Sequence, residues 1–409
     1  MAVDRPPDRS EAGSNVKVLI ATYPLCPVTP AACGGTEQIA WLLLTGLAAD
    51  LSLQITWIGA AGSAVAPRTR FRPWTHGAPS CVQPPDWAAL QRRCNDELVG
   101  IANAGRFDLV HNLGACLHGD AARLEAPVLF SLHLARELYP AELTLEPPAN
   151  LHFHCVSHAQ AEEYGEVACC GVIPNGIAVD EFRPRQWRPA PSAPLLFLGR
   201  ICWEKGPDRA IALARRLGRR LLLVGEPGPF PAHRRFFDEA VAPHLGDDVR
   251  WLPPPSLDGK RTLLRQASAV VVCSRVSETS SLVAMEAAAS GVPVLALRRG
   301  ALAEIVADGV TGWLGDDIRG LAERAAHLDQ IEPAACRRHA ELHFQAQRMV
   351  RRYRALYREL AAPRPRIEAH GPTPHPDRPR ASPQPAQYGR GSAGHGEFRP
   401  EPLGAGRAL

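Results

Sequence analysis

Short, nearly continuous apolar runs alternate along most of the chain with stretches in which apolar residues return every third or fourth position. The first kind predicts buried strands at 16–24, 53–60, 107–114, 127–134 and 151–157, then at 195–201, 220–228, 248–253, 268–274 and 292–297. The second kind predicts the helices between them, such as TEQIAWLLLTGLAAD over 36–50. Strands that are apolar on both faces and separated by helices form parallel sheets covered on both sides. Two such series in succession predict an α/β protein of two Rossmann-like domains facing each other across a cleft.

The same pattern places the boundaries. A polar, flexible N-terminus covers 1–15, and a Rossmann-like domain covers 16–184. The proline-rich RQWRPAPSAP at 185–194 is a linker, followed by a second Rossmann-like domain at 195–340. A helical pattern runs from Glu332 to Leu360, with Met349, Tyr353, Leu356, Tyr357 and Leu360 on one stripe, which makes 341–362 a C-terminal helix. Residues 363–409 are rich in proline and glycine and hold almost no large apolar side chains, so that tail is expected to be disordered.

Composition narrows the class. The 409 residues are 45% hydrophobic and 22% charged, enough to build sizeable cores. A net charge of +4 does not call for a nucleic-acid partner. No stretch is long and apolar enough for a membrane span, and MAVDRPPDRSEAGSN lacks the apolar centre of a signal peptide. The 11 cysteines show neither CxxC nor a Cys/His spacing that closes a zinc site, which suits free thiols in the cytoplasm. Lysine occurs only at 17, 205 and 260, and arginine fills nearly every other basic position. That skew points to a GC-rich coding bias and draws attention to each lysine that remains.

Ligands of such sheets bind beyond the carboxyl ends of the strands, so the turns there matter most. After the strand SAVVVCS comes SETSSLVAMEAAASGVPVLA, with Glu278 in the turn and Glu286 inside the next helix, which Ser280 or Ser281 can cap. The amides of that helix start form a seat for phosphate, and a carboxylate accepts paired hydrogen bonds from vicinal hydroxyls. Taken alone, the pattern describes a surface helix with one glutamate in its turn and one on its wet face. LLFLGRICWEKGPDRAI adds Arg200 at a strand end and Lys205 five residues on, two cations able to neutralise a diphosphate in the same crevice. In the first half, Gly34 and Gly35 permit close backbone approach, Thr36 is placed to cap the following helix, and Glu37 falls in its first turn. His111, His154 and His158 are each expected to be structural, with His158 the most exposed candidate for the cleft. Asn175-Gly176 reads as a turn between domains. The basic RTRFRPW at 68–74 reads as a solvated loop, with an anionic lipid or glycan, and hence peripheral membrane association, as the other reading.

GRICWEKG, VIPNGI and SETSSLVAMEAAASGVPVLALRRGALAEIVADGVTGWL resemble the family 4 retaining glycosyltransferases of the two-domain GT-B fold (glycosyl transferases group 1), as do ACGGTEQIAWLL and SLH in the first half. The likeness covers roughly 16–360. It implies a hexosyl transfer from a UDP- or GDP-sugar to a hydroxyl of a glycan, glycolipid or small molecule, with retention at the anomeric carbon. It further implies that Arg200 and Lys205 grip the diphosphate, Glu278 contacts the transferred sugar and Glu286 binds the ribose. Backbone amides near Ser281, Leu282 and Val283 complete the seat, and His133 lies against the sugar hydroxyls. Gly34 and Gly35 supply the glycine-rich loop. No Asp-x-Asp follows a strand, so catalysis is expected to need no metal and no cofactor beyond the nucleotide-sugar co-substrate. Thr279-Ser280-Ser281 replaces the usual Gly/Phe-rich run, which opens the donor sugar to question, and Ala178 replaces the aspartate that commonly follows NGI. A GT-B epimerase or phosphorylase, or a non-catalytic nucleotide-sugar-binding protein, are the rival readings. GxGxxG does not follow any strand, which disfavours a nicotinamide enzyme.

Overall fold

A computed structural model describes residues 15–32, 34–76, 86–114, 118–136, 139, 147–165, 169–185, 189–190, 192–228 and 230–362. The expected tail at 363–409 and residues 1–14 lie outside them.

The first sheet contains β1 (Val16–Ala21), β2 (Leu53–Gly59), β3 (Arg70–Pro73), β4 (Leu109–Asn112), β5 (Val128–Leu132), β6 (Leu151–Cys155) and β7 (Cys169–Val172). All seven are parallel, in the order β3-β2-β1-β4-β5-β6-β7. The second contains β8 (Leu195–Leu198), β9 (Leu221–Val224), β10 (Val249–Leu252), β11 (Ala269–Val272), β12 (Val294–Leu297) and β13 (Gly312–Gly315), parallel in the order β10-β9-β8-β11-β12-β13. Both orders reverse direction once. The reversal lies between β1 and β4 in one sheet and between β8 and β11 in the other, where a crevice opens at the strand ends.

Helices cover both faces. In the first half they are α1 (Gly35–Leu47), α2 (Trp87–Gly105) and α3 (His158–Tyr164). The second half carries α4 (Pro207–Arg216), α5 (Pro231–Ala240), α6 (Leu257–Gln266), α7 (Leu282–Ala289), α8 (Leu302–Ile305), α9 (Ile318–Ala325) and α10 (Pro333–His343), and α11 (Ala346–Ala361) ends the described chain. The predicted strands are all present. β3, β7 and β13 were not predicted, and their sequences explain why: RFRP is mostly polar, and CCGV and GWLG are short and interrupted by glycine.

Residues 70–73 thus correct the loop expected at 68–74. Arg70, Arg72 and Pro73 are exposed on the outermost strand of their sheet. Charges and proline on an edge strand block pairing with another chain, so the basic run has a role that requires no anionic partner.

The chain crosses between domains twice at one place. Ile177 N–H donates to Phe344 O at 2.8 Å, and Ala346 N–H donates to Ile177 O at 2.9 Å. This crossing divides the helical pattern of 332–360 into α10 and α11. α10 packs on α7 in the second domain, whereas α11 returns to α1. Met349, Val350, Tyr353, Leu356 and Tyr357 are buried there beside Ile39, Leu43 and Trp57. Ile177, Val179 and Phe182 already belong to the second core with Met285 and Val294, ahead of the linker expected at 185–194.

α11 is also fastened by polar contacts inside the first core. His111 Nδ1 lies 2.5 Å from Tyr357 Oη, and His111 Nε2 lies 2.6 Å from Ser131 Oγ. Ser131 Oγ is 2.6 Å from His154 Nε2, which is 2.8 Å from Tyr353 Oη. Burial, with a smaller contribution from His154, lowers His111 well below the ordinary histidine range. Burial also lowers His154 to about 4, so both rings are neutral hydrogen-bonding groups of the interior.

Candidate functional site: paired carboxylates and lysines at the cleft

The turn after β11 and the turn after β8 meet closely enough to join their side chains. Lys205 Nζ donates to both carboxylate oxygens of Glu278, at 2.7 and 2.9 Å, and Ser274 Oγ donates to the same carboxylate. The close approach depends on Gly206, whose φ is +66°; a methyl group there would lie 2.3 Å from Cys273 O. Only glycine combines that left-handed backbone with so little space. Arg275 braces the turn by a forked pair with Asp208 at 2.8 and 2.5 Å, its guanidinium also stacking over Trp203. On the far side, Glu278 O accepts from Ala301 N–H at 2.7 Å beside Gly300.

α7 begins as predicted, and of the two candidate caps Ser281 serves, its Oγ accepting from Ala284 N–H at 3.4 Å. The first amides of α7, at Leu282 and Val283, have no intrahelical acceptors. Glu286 lies in the buried row of this helix and is 2% exposed, which corrects the wet-face reading. Its partner is Lys260 on α6, with Nζ 2.6 Å from Oε1, while Oε2 has no hydrogen-bond partner among the described residues. Burial raises the Glu286 carboxyl above the usual range, and the charge of Lys260 opposes that rise. Two of the three lysines in the chain are thus ion-paired with the two glutamates. Sequence reasoning did not assign Lys260; the rarity of lysine was the signal that could have found it.

Arg200 stands exposed at the end of β8, with no acidic partner among the described residues. From the first domain, Gly34 and Gly35 are exposed at the start of α1, and a methyl group on Gly35 would sit 3.6 Å from Leu282 Cδ1. Gly34 rather than Thr36 occupies the N-cap position, since the helix opens one residue earlier than expected. Glu37 folds back over Gly34, and burial raises its carboxyl. His133 follows β5, and its backbone carbonyl accepts from Thr279 Oγ1 at 2.9 Å, joining the two domains beside Glu278. Its Nε2 is buried without a partner among the described residues, and burial, aided by His154, lowers the ring to about 3, so His133 is neutral.

A second contact joins the domains at α3. The carboxylate of Glu304, on α8, accepts from the backbone amides of His158 and Ala159 at 3.1 and 2.7 Å. His158 and Glu304, with Asn175, Ser280 and Gln345, line a cleft of about 220 Å³ beside the crossing.

Cys202, Glu204 and His233 bring atoms that could ligate a metal within 4.8 Å of one another. Bonds of about 2.0–2.3 Å would place tetrahedral zinc ligands roughly 3.5 Å apart. His233 Nδ1 is packed against Gly228, and Nε2 lies 3.7 Å from Glu204 Oε1. Burial acts against the charge on Glu204, but the neighbouring polar groups of His233, the backbone and Cys202 outweigh it and lower the carboxyl to about 2. The group braces the turn that carries Lys205.

Residues 179–332 match the family Glycosyl transferases group 1. That segment begins at the crossing and contains all of the second sheet, with Arg200, Lys205, Lys260, Glu278 and Glu286. D-inositol 3-phosphate glycosyltransferase of Mycolicibacterium smegmatis is 35% identical over 185 residues, which is 42% of this chain and 42% of that protein. The chain thus spans well under half the length of the curated relatives it matches. AviGT4, a glycosyltransferase involved in avilamycin A biosynthesis, has a TM-score of 0.62 at 26% identity, covering 85% of this chain and 98% of AviGT4. Sucrose-phosphate synthase from Thermosynechococcus elongatus has a TM-score of 0.71 at 19% identity, covering 84% of this chain and 99% of that one. The two parallel Rossmann-like sheets are the GT-B arrangement.

Proposed function

We propose that this protein is a retaining glycosyltransferase that moves a hexosyl group from a UDP- or GDP-sugar to a hydroxyl acceptor, in the cytoplasm and without a metal ion. The observation that carries the reading is the convergence of Lys205, Glu278 and the start of α7 at the switch point of the second sheet. Arg200 and Lys205 neutralise the diphosphate, and the amides of Leu282 and Val283 cradle it at the helix start. Glu278 and the neutral His133 bind the hydroxyls of the transferred sugar, and Glu286 binds the ribose. Gly34 and Gly35 admit the donor from the first domain.

In the reaction the bond from the anomeric carbon to the diphosphate oxygen breaks, and a bond to the acceptor oxygen forms on the same face. The acceptor proton passes to the departing diphosphate. The protein contributes orientation and stabilisation of the charge that grows on the leaving group.

The test is a panel of UDP- and GDP-sugars with hydroxyl acceptors, followed by release of nucleoside diphosphate and by the anomeric configuration of the product. Transfer with retention, unchanged by EDTA, is expected. Inversion, loss of turnover with EDTA, or conversion of the donor without any acceptor overturns the corresponding part of the reading. Donor binding with no transfer across the panel leaves a nucleotide-sugar-binding protein instead.

A further inference from the structure

We infer that Lys260 is a positioning residue for the nucleotide's ribose, holding Glu286 charged and leaving one of its oxygens free; this rests on the reading of Glu286 given above. Among the described residues the ammonium makes one hydrogen bond, to Oε1 at 2.6 Å, and Oε2 is shielded from solvent without a donor. A buried carboxylate oxygen left without a partner is costly. It is relieved by a ligand that brings a hydroxyl, and a vicinal diol brings two.

Why a lysine stands here follows from its shape. Arginine presents a planar fork that takes both oxygens of a carboxylate at once, whereas an ammonium is a point donor that is able to sit on one oxygen alone; Lys205 bridges both oxygens of Glu278, but Lys260 sits only on Oε1 of Glu286. This chain uses arginine almost everywhere else, yet it places lysine against both glutamates. The next residue, Arg261, is within electrostatic range of Glu286 but is engaged by Asp258 and Glu181. Lys260 alone among the described cations is bonded to Glu286, with Phe182 beneath it at 5.8 Å from Nζ to the ring centre. Burial by itself drives Glu286 toward its neutral form, which would turn an acceptor of two hydroxyls into a competing donor. The ammonium prevents this without closing the site.

The test is calorimetric titration of the full chain with UDP and GDP and with their 2′,3′-dideoxy counterparts. The wild type is expected to bind the ribose form of its nucleotide roughly ten- to a hundredfold more tightly than the dideoxy form, as hydrogen bonds to a charged group allow. In Lys260→Met that ratio is expected to fall to near one. Lys260→Arg is expected to lower the ratio too, because the fork occupies Oε2. A merely structural role would weaken both nucleotides alike and leave the ratio untouched. If Lys260→Met does not fold, Lys260→Arg carries the test by the same ratio. A wild-type ratio in either folded variant overturns the inference. A wild type that binds both forms equally overturns the roles of Glu286 and Lys260 but leaves donor binding standing, and one that binds no nucleotide overturns the nucleotide-sugar reading itself.

Discussion

Lys205 and Glu278, 73 residues apart in the chain, are joined by two hydrogen bonds of 2.7 and 2.9 Å across the switch point of the second sheet. Under the proposed function the pair is where a diphosphate and a sugar hydroxyl arrive together, so each group would hold the other in place for its ligand. Removing the ammonium withdraws charge from the leaving group and frees the carboxylate to rotate. Lys205→Ala is expected to lower turnover of a nucleotide sugar about a hundredfold or more, the cost of one leaving-group contact. Initial rates at saturating donor decide it, and wild-type turnover in the variant would refute the assignment.

Gly206 makes that pair possible. Gly206→Val meets both a positive φ and the Cys273 carbonyl at 2.3 Å, so the turn must shift away from β11. A loss of at least about 1–3 kcal/mol is expected, read as a lower urea midpoint. Donor affinity should fall with it, because Lys205 moves with the turn.

Glu304 caps the start of α3 from the opposite domain through His158 and Ala159. Glu304→Ala removes an acceptor from two helix-start amides, at a cost of about 1 kcal/mol. Hydrogen exchange at those two amides should speed up roughly fivefold, while the amides of β8 stay unchanged. Equal exchange in the two proteins would mean that the contact does not hold the domains together.

The hydroxyl of Tyr357 satisfies a fully buried His111. Tyr357→Phe keeps the ring and orphans Nδ1, so a loss of about 1–3 kcal/mol is expected in urea unfolding. A stability change within error would show that the ring alone fastens α11.

The same buried histidines set an acid limit. His111, His133 and His154 titrate below 6.5 in the fold, with His154 at about 4 and His133 at about 3, because burial penalises the charged ring. The unfolded chain therefore binds protons that the folded chain refuses as pH drops below 6.5, and this stability is lost on acidification. Each histidine contributes a slope of up to about 1.4 kcal/mol per pH unit in that window. Urea midpoints measured from pH 7.5 to 5 should decline below 6.5; a flat series would show that these rings take up protons without unfolding.

The alternation of apolar runs and helical stripes fixed the two parallel sheets, because a strand buried on both faces has no alternative pattern. The spacing around Arg200, Lys205, Glu278 and Glu286 pointed to the turns of the candidate site, since chain order puts Arg200, Lys205 and Glu278 between a strand end and the next helix, and Glu286 inside the helix after Glu278. The edge strand β3 was hidden because an outermost strand buries too little to need an apolar sequence. The break between α10 and α11 was hidden because both halves keep helical spacing while packing on different domains. Lys260 meets Glu286 across 26 residues, and Thr279 meets the His133 carbonyl across 146. Those partnerships depend on how α6 lies against α7 and how the two domains close. Long-range geometry of that kind leaves no period in a sequence, so only the tertiary structure could decide that Glu286 is a buried, half-paired carboxylate rather than a charge on a wet helix face.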